Sequence, residues 1–280
     1  MMTPMLSNGT KVWVFMIATC LGLLILGDHL GGRLGLLLGL LCAIALNALV
    51  FFWGETRILS QFQARKWVGA DPWGLQSRIQ TLSRKLSIDP PALYLVESPT
   101  ATAFSVGFSA RKPCLCVTTG LLEKLNEEEL EAVLAQQLCH VSRMDSFFFG
   151  VTSILANSLM SVGEFLDRLW PANFFFEKKQ KPFLTLLSPL GWLIVRGVVK
   201  RSTYYENDRT AANLIASRER LGEILWRLDG LAQARPLDVP PCTAHFFIVN
   251  PEGGRQRNFF LKSHPPLSER LRTLMGTPSV

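Results

Sequence analysis

Between Glu131 and Ser146 the chain reads EAVLAQQLCHVSRMDS. Its apolar residues recur at helical spacing, and His140 follows Gln136 by four positions, so both project from one helix face. Two imidazoles at that spacing can share one metal ion, and a carboxylate next to the first can take a proton from metal-bound water. Here those two positions hold Gln136 and Gln137. Glutamine is a neutral, weak metal ligand and no useful base. The spacing is hydrolytic; the donor atoms are not. A lone histidine on an amphipathic helix is ordinarily a core or boundary residue with its hydrogen bonds satisfied. Cys139 adjoins His140, but neighbouring helical residues point about 100° apart, which argues against a thiolate–imidazole dyad.

Local signals place this helix. Asn126 and Glu129 form a capping-box pattern, and Glu127 and Glu128 suit the positive end of the helix dipole. Three strands are predicted ahead of it, at 92–96, 103–108 and 114–119, the last two joined by SARKP. Before them, Leu75, Ile79, Leu82 and Leu86 mark an amphipathic helix, which Asp89-Pro90-Pro91 ends. From residue 200 a helical stretch runs through DRTAANLIASRERLGEILWRLDGLA, followed by the loop PLDVPPCT and a last helix at 265–275.

The 280 residues carry a formal net charge of +7, and the mean hydropathy of +0.22 is high for a soluble chain. The apolar residues cluster. Residues 11–27 carry no charge after Lys11, and 34–53 carry none, so each approaches a membrane-crossing length. A two-helix anchor over residues 1–56 is predicted, turning at Asp28–Arg33, with 57–280 forming the remaining domain. Arg57, Arg65 and Lys66 follow the second run and put both ends of the hairpin in the cytoplasm. A second, weaker apolar pair at 147–166 and 183–199 interrupts the domain as a membrane-embedded or interfacial hairpin. The basic balance fits a membrane protein; no aromatic-basic or zinc-finger pattern points to nucleic acid. The cysteines, at 20, 42, 114, 116, 139 and 242, form no C-x-x-C pair and read as free thiols.

These segments together resemble the HtpX-like membrane zinc metallopeptidases, metallopeptidase family 48, over nearly the whole chain. TAFSVG (102–107) is similar to the family's N-A-F strand, VTTGLLEKLNEEELEAVLAQQLCHV (117–141) to its strand, turn and zinc helix, and SHPPLSERL (263–271) to its late histidine-proline motif. The resemblance implies a mainly α fold with a small antiparallel β-sheet, that of a membrane-anchored gluzincin-like metallopeptidase. It places Ala103, Phe104, Ser105 and Val106 on the strand beside the substrate cleft, and His264 and Arg270 in transition-state positions.

The same resemblance shows where this chain departs. Family zinc ligands fall at Gln136, His140 and Tyr204, and the general base at Gln137; only His140 keeps its type. Asn207 stands where the family has a small alanine, before Asp208. Glu206 is about 200° round the helix from Tyr204, so it does not replace the missing carboxylate. The expectation is a pseudopeptidase without bound zinc, although zinc serves the active family. Its expected partners are the lipid bilayer, unfolded or membrane polypeptide segments, and another membrane protease. The alternatives are a rebuilt metal site with residual activity and a membrane scaffold without peptide binding. A bacterial inner membrane location with the domain cytoplasmic follows from the same resemblance.

Overall fold

The computed structural model describes residues 8–107, 113–170, 181–239, 243–253 and 264–276. Phe108, the turn at 109–112, Lys178, Lys179, Cys242 and Ser263 lie outside the described residues. Among the described residues, helices dominate around one four-stranded sheet.

Helix α1 (Asn8–Gln61) breaks at Gly31 (φ −145°, ψ 17°) and Gly32 (φ 53°, ψ −135°). Its two arms fold back on each other. A Cβ on Gly35 would lie 1.9 Å from the Gly27 carbonyl oxygen, and one on Gly39 2.4 Å from that of Leu23. Glycine is what lets the two backbones touch, as small residues do between membrane helices. Leu21, Ile25, Leu34, Leu37 and Ile44 face outward. Met16–Leu46 is long and apolar enough to cross a membrane, but the break divides it between the arms.

The sheet holds β1 (Arg65–Lys66), β2 (Ala92–Val96), β3 (Ala103–Val106) and β4 (Cys114–Thr118), in the order β1-β2-β4-β3. It is mixed, not wholly antiparallel: β2 and β4 are parallel, while β1–β2 and β3–β4 are antiparallel. The chain reverses after β2 and again after β3, and β4 inserts between them, so it must run with β2. Alternation sends Leu115 and Val117 of β4 into one apolar cluster and Cys114 and Cys116 into a second, on the other face. Both thiols are packed strand residues.

Helix α2 (Leu75–Lys85) and the short α3 (Thr119–Lys124) flank the sheet. Helix α4 (Glu127–Ser142) is the central element. Its capping box closes through Glu129 N–H to Asn126 Oδ1 (2.9 Å) and Asn126 N–H to Glu129 Oε2 (2.8 Å). Every residue from Ala132 to Val141 is buried, so α4 is covered all round.

Helices α5 (Asp145–Leu169) and α6 (Pro182–Val198) form a tight hairpin. The Asp167 carboxylate accepts from the amides of Phe183 (2.8 Å) and Leu184 (3.0 Å), which caps the open end of α6. The apolar run at 147–166 serves two environments. Phe148, Phe149, Val151 and Ile154 belong to the second cluster, whereas Val162, Phe165 and Leu169 are exposed. Asp145–Leu169 is long and apolar enough to cross a membrane, and hydropathy alone does not separate its buried residues from its exposed ones. Helices α7 (Arg201–Leu214), α8 (Arg218–Ala234) and α9 (Leu267–Met275) complete the fold, with a 3-10 turn at Ala244–Phe246.

Candidate functional site

Helix α4 presents Gln136, Gln137 and His140 into the interior, at 0%, 0% and 3% exposure. The Gln136 amide nitrogen lies 3.1 Å from His140 Nε2 and 3.4 Å from Asp208 Oδ1. Gln137 donates to Gln136 Oε1 at 3.1 Å. From α7, the Asn207 amide nitrogen lies 2.9 Å from His140 Nδ1 and donates to Asp145 Oδ2 at 2.8 Å. Asp145, at the start of α5, stands 3.4 Å from His140 Nδ1. A neutral imidazole has one donor and one acceptor nitrogen. In either tautomer its lone pair faces an amide N–H.

Tyr204 fills the space opposite. Its ring centre is 5.7 Å from that of His140 and 5.0 Å from that of His264. Its hydroxyl donates to the His245 carbonyl at 2.9 Å. Arg270 is buried in a bidentate pair with Asp208, through Nε to Oδ2 (2.8 Å) and Nη2 to Oδ1 (2.7 Å). Its Nη1 donates to the Ile248 carbonyl. His264 Nε2 donates to the Ala244 carbonyl at 2.6 Å. Burial lowers the pKa of the His264 ring to about 3 and that of His245 to about 4, so both are neutral at pH 7. His245 Nε2 donates to the Phe149 carbonyl at 3.1 Å.

Tyr204, His264 and Arg270 thus all bind carbonyls of one segment, 244–248. That segment lies along β3. Phe247 forms an antiparallel bridge with Phe104, and the Ile248 amide donates to the Ala103 carbonyl at 3.3 Å. Ala103, Phe104, Ser105 and Val106 are all buried. The expectation of an accessible edge strand is corrected here: β3 is at the edge of the sheet, but the chain's own strap covers it. Phe62, Phe104 and Phe247 pack as an aromatic cluster, with centroids 4.8–5.5 Å apart.

These side chains do not fit zinc. The lone pair of His140 is engaged, the Tyr204 oxygen points to a carbonyl, and Asp208 is held by Arg270. Among the described residues, no three His, Cys, Asp or Glu side chains converge as a metal site. Glu206 is 57% exposed and pairs with Arg143 on the surface, so it supplies no replacement ligand. Burial pushes the Cys139 thiol up to about 12, and no thiolate forms there at neutral pH.

The profile of peptidase family M48 matches residues 72–277. The chain belongs to peptidase family M48. It is 29% identical over 277 residues to a protease HtpX homolog of Pelotomaculum thermopropionicum, covering 95% of this chain and 98% of that one. It is 28% identical to a protease HtpX homolog of Desulfatibacillum aliphaticivorans, covering 97% and 90%. The crystal structure of S. mikatae Ste24p shares the fold, with a TM-score of 0.50 and 14% identity, over 95% of this chain. This chain spans 64% of the length of that protein. HtpX-like M48 proteins are zinc-dependent membrane proteins.

Sequence reading missed three participants. Asp145 lies five residues beyond His140, outside the helical motif. Asn207 stood out only as a bulky replacement, with no sign of its partner. The strap reads as a short apolar run, and nothing local says which edge it covers.

Proposed function

We propose that this chain is a catalytically inactive, membrane-anchored member of peptidase family M48 that acts by binding. Its clients are unfolded or membrane-protein segments, or a partner protease, in membrane protein quality control. The observation that carries this reading is the state of His140: its ring is enclosed by the Gln136 and Asn207 amides and the Asp145 carboxylate. Loss of a general base alone costs roughly 10²–10⁴ in rate, and Gln137 supplies none.

Binding along β3 requires the strap to move. Residues 102 and 104 turn their backbone groups to β4, as the bond from Thr118 N–H to the Thr102 carbonyl indicates. By alternation, the Ala103 carbonyl and Ser105 amide face the strap. A client strand that displaced Phe247 and Ile248 would take over those two groups. The three side-chain bonds holding the strap favour a second reading, a scaffold whose groove stays closed. The inner membrane of a bacterium, with the domain in the cytoplasm, fits both; its support is the basic residues after the anchor and the bacterial relatives.

The test is crosslinking of an unfolded polypeptide to β3, in wild type and in Phe247→Asp, which loosens the strap. Stronger labelling in the variant, with no cleavage in either, is expected. Chelator-sensitive cleavage by wild type would overturn the inactive reading. Absence of labelling in both would select the scaffold.

A further inference from the structure

Where the anchor enters the domain, the second arm of α1 packs against α5 and leaves a small groove. Arg57 and Gln61 line it from α1, and Ser153, Asn157 and Ser158 from α5. Among the described residues, the lining side chains include a cation, two amides and two hydroxyls, but no carboxylate.

Two observations point to a ligand. The first is charge. Arg57 is exposed, and among the described residues its guanidinium has no carboxylate or hydrogen-bond partner; only its backbone carbonyl is engaged, by Ser60. Several other arginines of the domain pair with carboxylates, such as Arg65 with Glu97, Arg78 with Glu127, Arg143 with Glu206, and Arg227 with Glu129. Asn157 is already oriented, its amide donating to Ser153 Oγ at 3.2 Å.

The second is depth. Arg57 lies four residues past the uncharged run 34–53, about 6 Å along the helix at 1.5 Å per residue. Over the three turns beyond Ser158, α5 exposes Val162, Phe165 and Leu169. The groove therefore sits at the level where an apolar surface gives way to a polar one. That is where phosphates lie on a bilayer.

We propose that this groove binds a phosphate group of an anionic membrane lipid. The Arg57 guanidinium fork takes two phosphate oxygens. The second N–H of Asn157 and the neighbouring hydroxyls supply further donors. The lipid's acyl chains continue along Val162, Phe165 and Leu169 of α5. The site does not depend on whether the peptidase centre is active.

The test uses the full chain in nanodiscs of phosphatidylcholine containing increasing phosphatidylglycerol, with bound lipid counted by native mass spectrometry. Wild type is expected to retain about one phosphatidylglycerol. Arg57→Gln should weaken that retention about tenfold, the loss of one charge-assisted contact, and Arg57→Lys should recover it in part. Arg65→Gln removes the same charge from a position already paired with Glu97 and should leave retention unchanged. Equal losses in Arg57→Gln and Arg65→Gln would overturn the proposal in favour of bulk attraction. Displacement of the lipid by millimolar inorganic phosphate would show a site for the free anion and would also overturn it. Unchanged retention in Arg57→Gln, with a normal thermal midpoint in pure phosphatidylcholine, would do the same.

Discussion

The Asn207 amide nitrogen sits 2.9 Å from Nδ1 of His140 and also holds Asp145, at 2.8 Å. One residue of α7 thereby ties His140 of α4 to the start of α5. An alanine in its place would leave a gap beside the ring. The site is a closed, hydrogen-bonded core.

That tie sets the expected metal behaviour. The purified wild-type chain should carry no stoichiometric zinc. Gln136→His, Gln137→Glu and Tyr204→Glu together should recover little, because Asn207 still occupies the second nitrogen of His140. Adding Asn207→Ala should raise zinc content above that of the triple variant. Elemental analysis decides; about one zinc per wild-type chain, lost in His140→Ala, would refute the closed-core account.

The Arg270–Asp208 pair should be structural. Removing one partner leaves a buried charge unmatched, which typically costs about 3–5 kcal/mol. Arg270→Met is expected to lower the thermal midpoint in detergent strongly. Arg270→Met combined with Asp208→Leu should lower it less, since no charge is then stranded. An equal or larger loss in the double variant would count against this.

Acid should loosen the strap. His245 has a folded pKa of about 4, lowered by burial, against about 6.5 unfolded. The unfolded chain therefore binds the extra proton, and stability is full above about pH 6.5 and falls as pH drops towards 4. At about 1.4 kcal/mol per pK unit, the contribution is about 3 kcal/mol. His264 shifts in the same direction but is only partly buried, so its share is smaller. Thermal midpoints measured across pH 4–7 should flatten in His245→Gln; an unchanged slope would remove His245 as the cause.

The anchor makes a steric prediction. Gly35→Ile would drive a side chain into the Gly27 carbonyl and splay the arms, whereas Gly22 has nothing within 4 Å of a Cβ. Gly35→Ile should reduce yield and thermal midpoint, and Gly22→Ile should leave both near wild type. Equal effects would mean that the arms do not pack at Gly35.

Topology can be read independently. The N-terminus and the 200–276 region are expected on the same, cytoplasmic face. Impermeant thiol labelling of single cysteines placed at Ser217 and near the N-terminus should mark both only after the membrane is opened. Labelling of Ser217→Cys in intact cells would reverse the orientation.

The sequence by itself determined the elements whose signals are local. Asn126 and Glu129 are three residues apart, so the cap of α4 was written in one turn. The alternation of β4 and the uncharged run of 34–53 are likewise properties of adjacent residues, and they announced a strand and an anchor arm. The i, i+4 relation of Gln136 and His140, and the wrong face taken by Glu206, follow from helix geometry alone. Tertiary structure decided the rest, because periodicity reports that a face is buried and not what buries it. Only the fold put β4 between β2 and β3. Only the fold divided α5 between protein core and an outward apolar surface. It also laid Phe247 against Phe104, 143 residues earlier in the chain, closing the strand that the sequence left open. Backbone hydrogen bonds between distant segments depend on which edge is free once everything else has packed, and no local pattern encodes that.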